Sequence, residues 1–411
     1  MRSLVVVLIV LGLASQAAAA IFSDVAGHPA QRAIERLAAK GVVAGVGDRF
    51  LPGEPLTRLD VVRFLVRLLG IPGESARLPA FKDLDQIPPD ARPAVAASVG
   101  VGTVSATKVE VKKGAIVYTL TTDKAAYGPE EPVLLTFIVH NTGKTDVTFE
   151  YANSQFHDFI VKASDGSEVA RWSLGRAFLP VDKPVPLAAG KSLTFQTRWR
   201  QLDQNDRPVP VGRYEIVAVH TTKQEPTQLS LSFQKGLVVG YPDNTFRPRQ
   251  PVTRAELAAL TVRAGGLDAE AFARARAQVA AADGAAVPDW ARGSVAVVLE
   301  RRMLPLLDGA FRPAQPATRA DAAVALDALM GLLNKYDWTK GTLRAVQPGR
   351  PATLAVEDDK KAVRTFRVAP AHAVYRNDRP ATLAELRPGD AVQFLKPADV
   401  GDVVYIEATG R

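Results

Sequence analysis

The sequence predicts a multidomain α+β chain. A helical unit is written three times, is interrupted once by an antiparallel β-sandwich, and is followed by a small β-barrel. Three observations predict this. The motif T-R-x-[DE] recurs at Thr57, Thr253 and Thr318, each time shortly after a phenylalanine-x-proline turn. A block of 134 residues, 101–234, alternates like short strands and stands between two halves of the middle copy. The residues after Trp338 form a second set of short alternating runs.

The totals bound the reading. The 411 residues are 47% hydrophobic and 23% charged, which suits several ordinary globular cores. Arg2, an apolar run over 4–13 and three alanines at 18–20 form a secretory signal peptide cut after Ala20. The apolar run is too short to span a bilayer, and no later run reaches ~18 residues, so the mature chain has no expected transmembrane segment. The chain is therefore expected to be exported, at a bacterial cell wall or surface. It has no cysteine, so its cores must suffice without disulfides. Its formal charge of +8 favours anionic partners at the envelope. No aromatic–basic stacking pattern points to nucleic acid.

The first copy spans about 21–70. Ala30, Ala33, Ile34, Leu37 and Ala38 share one helical face, and Gly41 ends that helix. Phe50 and Pro52 form the turn, and Val61, Phe64, Leu65 and Leu68 stripe a second helix. The second copy opens at Phe81 and Asp83, breaks off near residue 100, and resumes at Lys235. The third covers about 281–333. From Asp24 to Arg58 is 34 residues, and from Asp283 to Arg319 is 36. From Asp83 to Arg254 is 171, which becomes 37 once 101–234 is removed. The expected domains are therefore 21–100, 101–234, 235–337 and 338–411, with repeat two split across the insertion.

Thr253 and Glu256 read as a capping box, and Thr57/Asp60 and Thr318/Asp321 as looser versions. The arginine of the motif needs another reason. It falls at the first helical position, where the helix dipole mildly disfavours a cation. Arg58, Arg254 and Arg319 are thus candidates to grip an anion together with free backbone N–H groups. The alternatives are surface charge and salt bridges between repeats.

These copies resemble S-layer homology (SLH) modules. The resemblance rests on Phe22/Asp24 and Phe81/Asp83, on the G-[VL]-V-x-G segment, on the F-x-P turn, and on LTRLD, VTRAE and ATRAD. It implies a three-repeat helical prism that binds an anionic, pyruvylated secondary cell-wall polymer. Arg254 leads the implied polymer-binding residues, because its copy keeps Gly236, Gly240 and Asp243. Arg58 and Arg319 follow. The tryptophan expected early in the first helix is present only in copy three, as Trp290; copy one has Pro29 there and copy two has Asp90.

The inserted block predicts six to eight short antiparallel strands, with Phe137, Phe149, Phe159, Trp172, Phe195 and Trp199 in the core. Residues 127–143, 154–161, 166–178, 187–199 and 210–216 resemble the BsuPI-type proteinase inhibitor family. That resemblance implies an immunoglobulin-like sandwich. Arg176 and Phe178 lie in a polar stretch and are candidate protein contacts; the alternative places Trp172 and Phe178 in the core. After Trp338, about six strands and a hairpin at Asn377-Asp378 predict a small β-barrel.

No catalytic constellation is legible. The five histidines have no zinc-ligand spacing, and no nucleophile elbow or phosphate-binding glycine loop occurs. The sequence points to a non-enzymatic envelope protein, without cofactor or metal, that displays a sandwich from a wall-bound helical anchor. The alternatives are a surface-held inhibitor of a secreted protease and a structural protein that contacts neighbouring surface proteins.

Overall fold

The computed structural model describes residues 21–411, apart from 72–77, 79–80, 100–107, 124–126, 128–130, 181–183, 239, 242 and 398–400. The expected signal peptide lies outside the described residues. The fold is mixed α+β with several sheets. The first helices are α1 (Gln31–Ala39), α2 (Arg58–Leu69) and α3 (Arg92–Ser98). Ten strands follow: β1 (Lys108–Lys113), β2 (Ile116–Thr122), β3 (Val133–Asn141), β4 (Val147–Phe149), β5 (His157–Ala163), β6 (Glu168–Arg171), β7 (Val185–Leu187), β8 (Ser192–Trp199), β9 (Gly212–His220) and β10 (Thr227–Lys235). Helices resume with α4 (Arg254–Ala264), α5 (Asp268–Ala273), α6 (Asp289–Glu300) and α7 (Arg319–Leu332). The chain ends in β11 (Thr339–Gln347), β12 (Thr353–Glu357), β13 (Val363–Arg376), β14 (Arg379–Ala381), β15 (Ala391–Leu395) and β16 (Val403–Thr409). Two compact units result, one of 21–52 with 334–411 and one of Gly53–Leu333.

In the larger unit, each T-R-x-[DE] motif starts a helix in the same way. Thr57, Thr253 and Thr318 adopt extended backbone, and each closes a complete capping box with the acid three residues on. The two boxes with aspartate are as complete as the one with glutamate. The three junctions then pair with one another in a closed ring. Leu56 N–H donates to Ala317 O (2.7 Å), Ala317 N–H to Val252 O (2.8 Å), and Val252 N–H to Leu56 O (2.8 Å). Bridges Thr57–Pro251, Thr253–Pro316 and Pro55–Thr318 complete it. Leu56, Val252 and Ala317 are buried at these positions, so the ring carries its own apolar centre.

The aspartate that opens each repeat has a matching task. Asp83 accepts from the N–H groups of Phe246 (2.8 Å) and Arg247 (2.7 Å), across the insertion. Asp283 does the same for Phe311 and Arg312 at 2.7 Å each. In the smaller unit, Asp24 holds Phe50 and Leu51 at 2.8 Å. The middle residue of each F-x-P turn is left-handed: Leu51, Arg247 and Arg312 have φ of 62°, 56° and 57°. A non-glycine residue there is strained, and the carboxylate offsets that strain by accepting both N–H groups. Burial pushes the Asp24 and Asp283 carboxyls up, but their backbone donors outweigh it and leave both below the usual range. Asp83→Ala should therefore cost about 3 kcal/mol, two charge-assisted bonds less partial rehydration. A urea midpoint unchanged from the parent would refute that task for Asp83.

The inserted block forms two four-stranded antiparallel sheets, β1-β2-β3-β8 and β10-β9-β5-β6, with a small β4-β7 ribbon. One core lies between them, including Phe137, Phe159, Trp199, Tyr214 and Phe233. Trp172, Phe149 and Phe195 pack against it half-buried. The described strands number ten, more than the six to eight expected; β4, β6 and β7 are only three or four residues long. The last strand runs to Lys235, whose buried ammonium donates to Val209 O (2.6 Å).

In the smaller unit, β12, β11, β15, β16 and β13 close on themselves through the β12–β13 pair, making a five-stranded barrel with β14 appended. Asn377 and Asp378 both have positive φ, as a two-residue hairpin turn requires. Helix α1 belongs to this unit, and Glu35, inside its apolar stripe, is fully buried. Glu35 accepts from Tyr375 Oη (2.6 Å) and Gln31 Nε2 (3.1 Å), while burial raises its pKa. Nearby Glu407 accepts from Arg32 (2.9 Å), Tyr405 Oη (2.8 Å) and Gln393 Nε2 (2.6 Å). Tyr375 and Glu407 are hundreds of residues from α1, which is why the helical pattern alone gave no sign of these contacts.

Candidate functional site

The three motif arginines fall into two kinds. Arg254 is completely buried. Its Nε donates to Phe311 O (2.8 Å), its Nη2 to Pro305 O (2.6 Å), and its Nη1 pairs with Asp321. Arg319 is 8% exposed and pairs with Asp60 at 3.2 Å, with its guanidinium 5.4 Å from the Phe64 ring centre. Each acid is the capping acid of another repeat, so it serves its own helix and a neighbour's arginine together.

Arg58 is half-buried. Its Nε donates to Phe246 O (3.0 Å), and its guanidinium lies 4.8 Å from the Tyr241 ring centre and 5.1 Å from that of Phe246. Burial pulls its pKa down, against Tyr241 and the charge of Glu256, the third capping acid. Arg247 is exposed and stacks on the same Tyr241 ring at 3.9 Å. It also pairs with Asp243 at 2.9 Å. Asp243 is pulled down to about 2 by Thr245 and Arg247. Tyrosine, two arginines and an aspartate thus meet on one partly exposed surface.

The backbone N–H groups that an anion would need are already taken. The amide of Arg58 donates to Gln250 O, that of Arg254 to Gln315 O, and that of Arg319 to Glu54 O, each at 2.9 Å. The next amides of the first two helices, Leu59 and Ala255, donate to Pro248 O and Pro313 O. The expectation of free N–H groups at these helix starts is therefore corrected: the ring between repeats uses them.

The glycines are placed by sterics. A Cβ on Gly240 would lie 2.6 Å from the Phe81 ring, and one on Gly45 would meet the Phe22 ring at the same distance. Gly236 is buried beside the end of β10. Trp290 opens α6 and is 62% exposed. In the sandwich, Arg176 is exposed and its guanidinium lies 4.5 Å over the Trp172 ring. Phe178 is half-buried, 6.0 Å from Trp172. Sequence reasoning missed Tyr241 and Arg247; Arg247 is the x of F-x-P and carried no signal of its own.

Residues 21–62 and 231–258 match the S-layer homology domain family. Residues 120–225 match the family described as intracellular proteinase inhibitor, BsuPI. The chain carries both domains. The SLH segments bracket the BsuPI domain, and the second contains Arg247, Arg254 and Tyr241. The third repeat lies outside the matched segments, yet Asp283 and Thr318 repeat their hydrogen bonds. The SLH domain supports association with the cell wall, and neither family is an enzymatic one. No curated protein matches the chain.

Among solved structures, a cycloisomaltooligosaccharide glucanotransferase of a Paenibacillus species is 17% identical over 35% of this chain and 17% of its own, with a TM-score of 0.19. An alkylpurine DNA glycosylase of Pseudomonas fluorescens is 15% identical over 42% and 37%, TM-score 0.19. A sporulation control protein of Bacillus subtilis is 18% identical over 30% and 51%, TM-score 0.19. The chain spans about half or less of the length of each. Among the described residues, no group of three or more His, Asp or Glu is placed to hold a metal, and no helix is long and apolar enough to cross a membrane.

Proposed function

We propose that this protein is a wall-anchored carrier. Its SLH repeats form a pseudo-threefold helical prism that binds an anionic, pyruvylated secondary wall polymer, and its immunoglobulin-like BsuPI domain is displayed from it. The observation that carries this reading is the surface of Arg58, Tyr241, Arg247 and Asp243. Arg254 and Arg319 act as struts between repeats. Arg58 and Arg247 keep a flank on a partly exposed aromatic ring, where a sugar can stack and a carboxylate can meet two guanidiniums. Gly236 and Gly240 shape the segment that leads to Tyr241, and Trp290 offers a second exposed stacking face.

The test is co-sedimentation with bacterial wall sacculi, with and without acid removal of the attached polymer. The parent should pellet only with intact sacculi. Arg247→Glu, an exposed change, should weaken binding about tenfold without moving the melting temperature; Trp290→Ala should act more weakly. Equal binding to stripped sacculi, or by Arg247→Glu, would sink the proposal.

A second reading is favoured by a different observation. The loop after β6 exposes Leu174 (54%) and Leu179 (76%). Two exposed leucines on one loop of a BsuPI domain suit contact with a protease. The full chain should slow a secreted serine protease at stoichiometric concentration, and Leu179→Asp should abolish that. Cleavage at an unchanged rate would leave the domain without this role.

A further inference from the structure

The sandwich is open along one side, and that side has a defined chemistry. β8 is the last strand of one sheet and β6 the last of the other. Between them runs a groove of about 310 Å³, near the lower end for ligand sites. Its floor includes Leu135 and Phe159, and Trp172 forms part of its wall. Arg176, Arg198 and Arg200 line it as well. Arg198 and Arg200 are exposed and form no ion pair among the described residues. Arg176 has no acidic partner either; its Nε donates to Trp172 O (2.8 Å). Arg171 is neutralised within the domain by Glu168 (2.5 Å) and buried Asp158 (3.1 Å). The groove's aspartates are Asp203, which pairs with Arg207 at 3.2 Å, and exposed Asp206. The balance of unpaired charge is therefore positive.

We propose that this groove binds an extended acidic peptide, one in which apolar and acidic residues alternate. Gln204 N–H already caps β6 at Val169 O (3.0 Å), but β8 pairs only with β3 among the described strands, so its outer edge offers a row of backbone donors and acceptors that an extended chain can pair with. Side chains of an extended chain alternate between two faces. Apolar residues of the occupant then enter the groove between Trp172 and the floor, and the intervening carboxylates meet the arginines at the rim. A free anion would use the arginines but leave the aromatic wall and the strand edge unused. The inference stands independently of the wall-polymer reading, because it uses no residue outside the inserted domain.

The probe is a fluorescein-labelled ten-residue peptide of alternating Glu and Val, titrated with the full mature chain and read by anisotropy at low salt. Saturable binding is expected. Arg198→Glu/Arg200→Glu should weaken it at least tenfold and should bind an alternating Lys–Val peptide more tightly than the parent does. Both arginines are exposed, and a circular-dichroism melt checks that the variant is folded. Equal binding of the Glu–Val peptide by parent and variant would overturn the proposal. So would equal binding of an all-Glu peptide, which would mean diffuse charge attraction, or tighter binding of an oligogalacturonate, which would mean a glycan site.

Discussion

Arg254→Ala is expected to lower the unfolding free energy of the unit spanning Gly53–Leu333 by about 3–5 kcal/mol, the usual range for breaking a buried ion pair from one side. The side chain is fully buried and serves three acceptors on the third repeat: Asp321, Phe311 O and Pro305 O. Alanine leaves a carboxylate and two carbonyls without their donor and opens a cavity beside the Phe311 ring. Arg254→Lys should recover only part of the loss, since one ammonium cannot reproduce the planar fork. The Arg254→Ala/Asp321→Ala double variant should be less destabilised than the sum of the single ones, because each change removes the other's unpaired charge. The measurement is a urea titration followed by helix signal. A shift below about 0.5 kcal/mol would place Arg254 among surface residues, where most changes are that small. The same variant separates strut from ligand contact: a folded Arg254→Ala protein with lost polymer binding and an unchanged midpoint would favour direct recognition.

Acid should undo the sandwich through two histidines. His220 is completely buried, edge-on to Phe149 at 4.7 Å and 2.6 Å from Tyr151 Oη through its Nε2. His157 stacks on Phe195 and lies beside Trp172, each ring centre 4.2 Å away. Burial lowers both to about 4; Arg176 adds to this for His157 while Asp158 opposes it, and His157 adds to it for His220. Nδ1 of His220 and Nε2 of His157 make no hydrogen bond in the fold, so the imidazolium, which carries both N–H groups, would leave one donor unpaired in each. The unfolded chain takes up these protons near pH 6.5, and the folded chain only near pH 4. Their stabilisation is therefore complete above about pH 6.5 and is lost as pH falls towards 4. Linkage gives about 3 kcal/mol for His220 over that window, and less for half-exposed His157, whose charge solvent screens. His220→Gln keeps a hydrogen-bonding amide beside Tyr151 and cannot titrate. It should flatten the pH dependence of sandwich unfolding between pH 4 and 6.5. An equally steep profile in that variant would assign the acid sensitivity to carboxylates.

Much was legible in the chain before any coordinates. The repeat spacing predicts an interruption of the second copy, since a unit of constant length betrays what is inserted into it. Local rules placed the capping boxes, because a threonine and an acid three residues on satisfy each other within one turn. Strand alternation gave the barrel and most of the sandwich, and positive-φ tolerance gave the Asn377-Asp378 hairpin. The motif arginine stood out as something a helix start does not need by itself.

What the arginine does was decided by tertiary structure. Its partners are carbonyls and a carboxylate on another repeat, 51 to 67 residues away for Arg254, and no local pattern encodes a closed ring. The ring also takes up the helix-start amides that local reasoning left free for an anion. Likewise the acid of F-x-D was only a landmark of the repeat until its carboxylate met the left-handed turn of its own repeat. Glu35 and the groove between β6 and β8 were invisible for the same reason. Sequence periodicity reports which face of an element is buried, whereas the identity of the groups facing it depends on contacts between distant segments, which only the folded chain brings together.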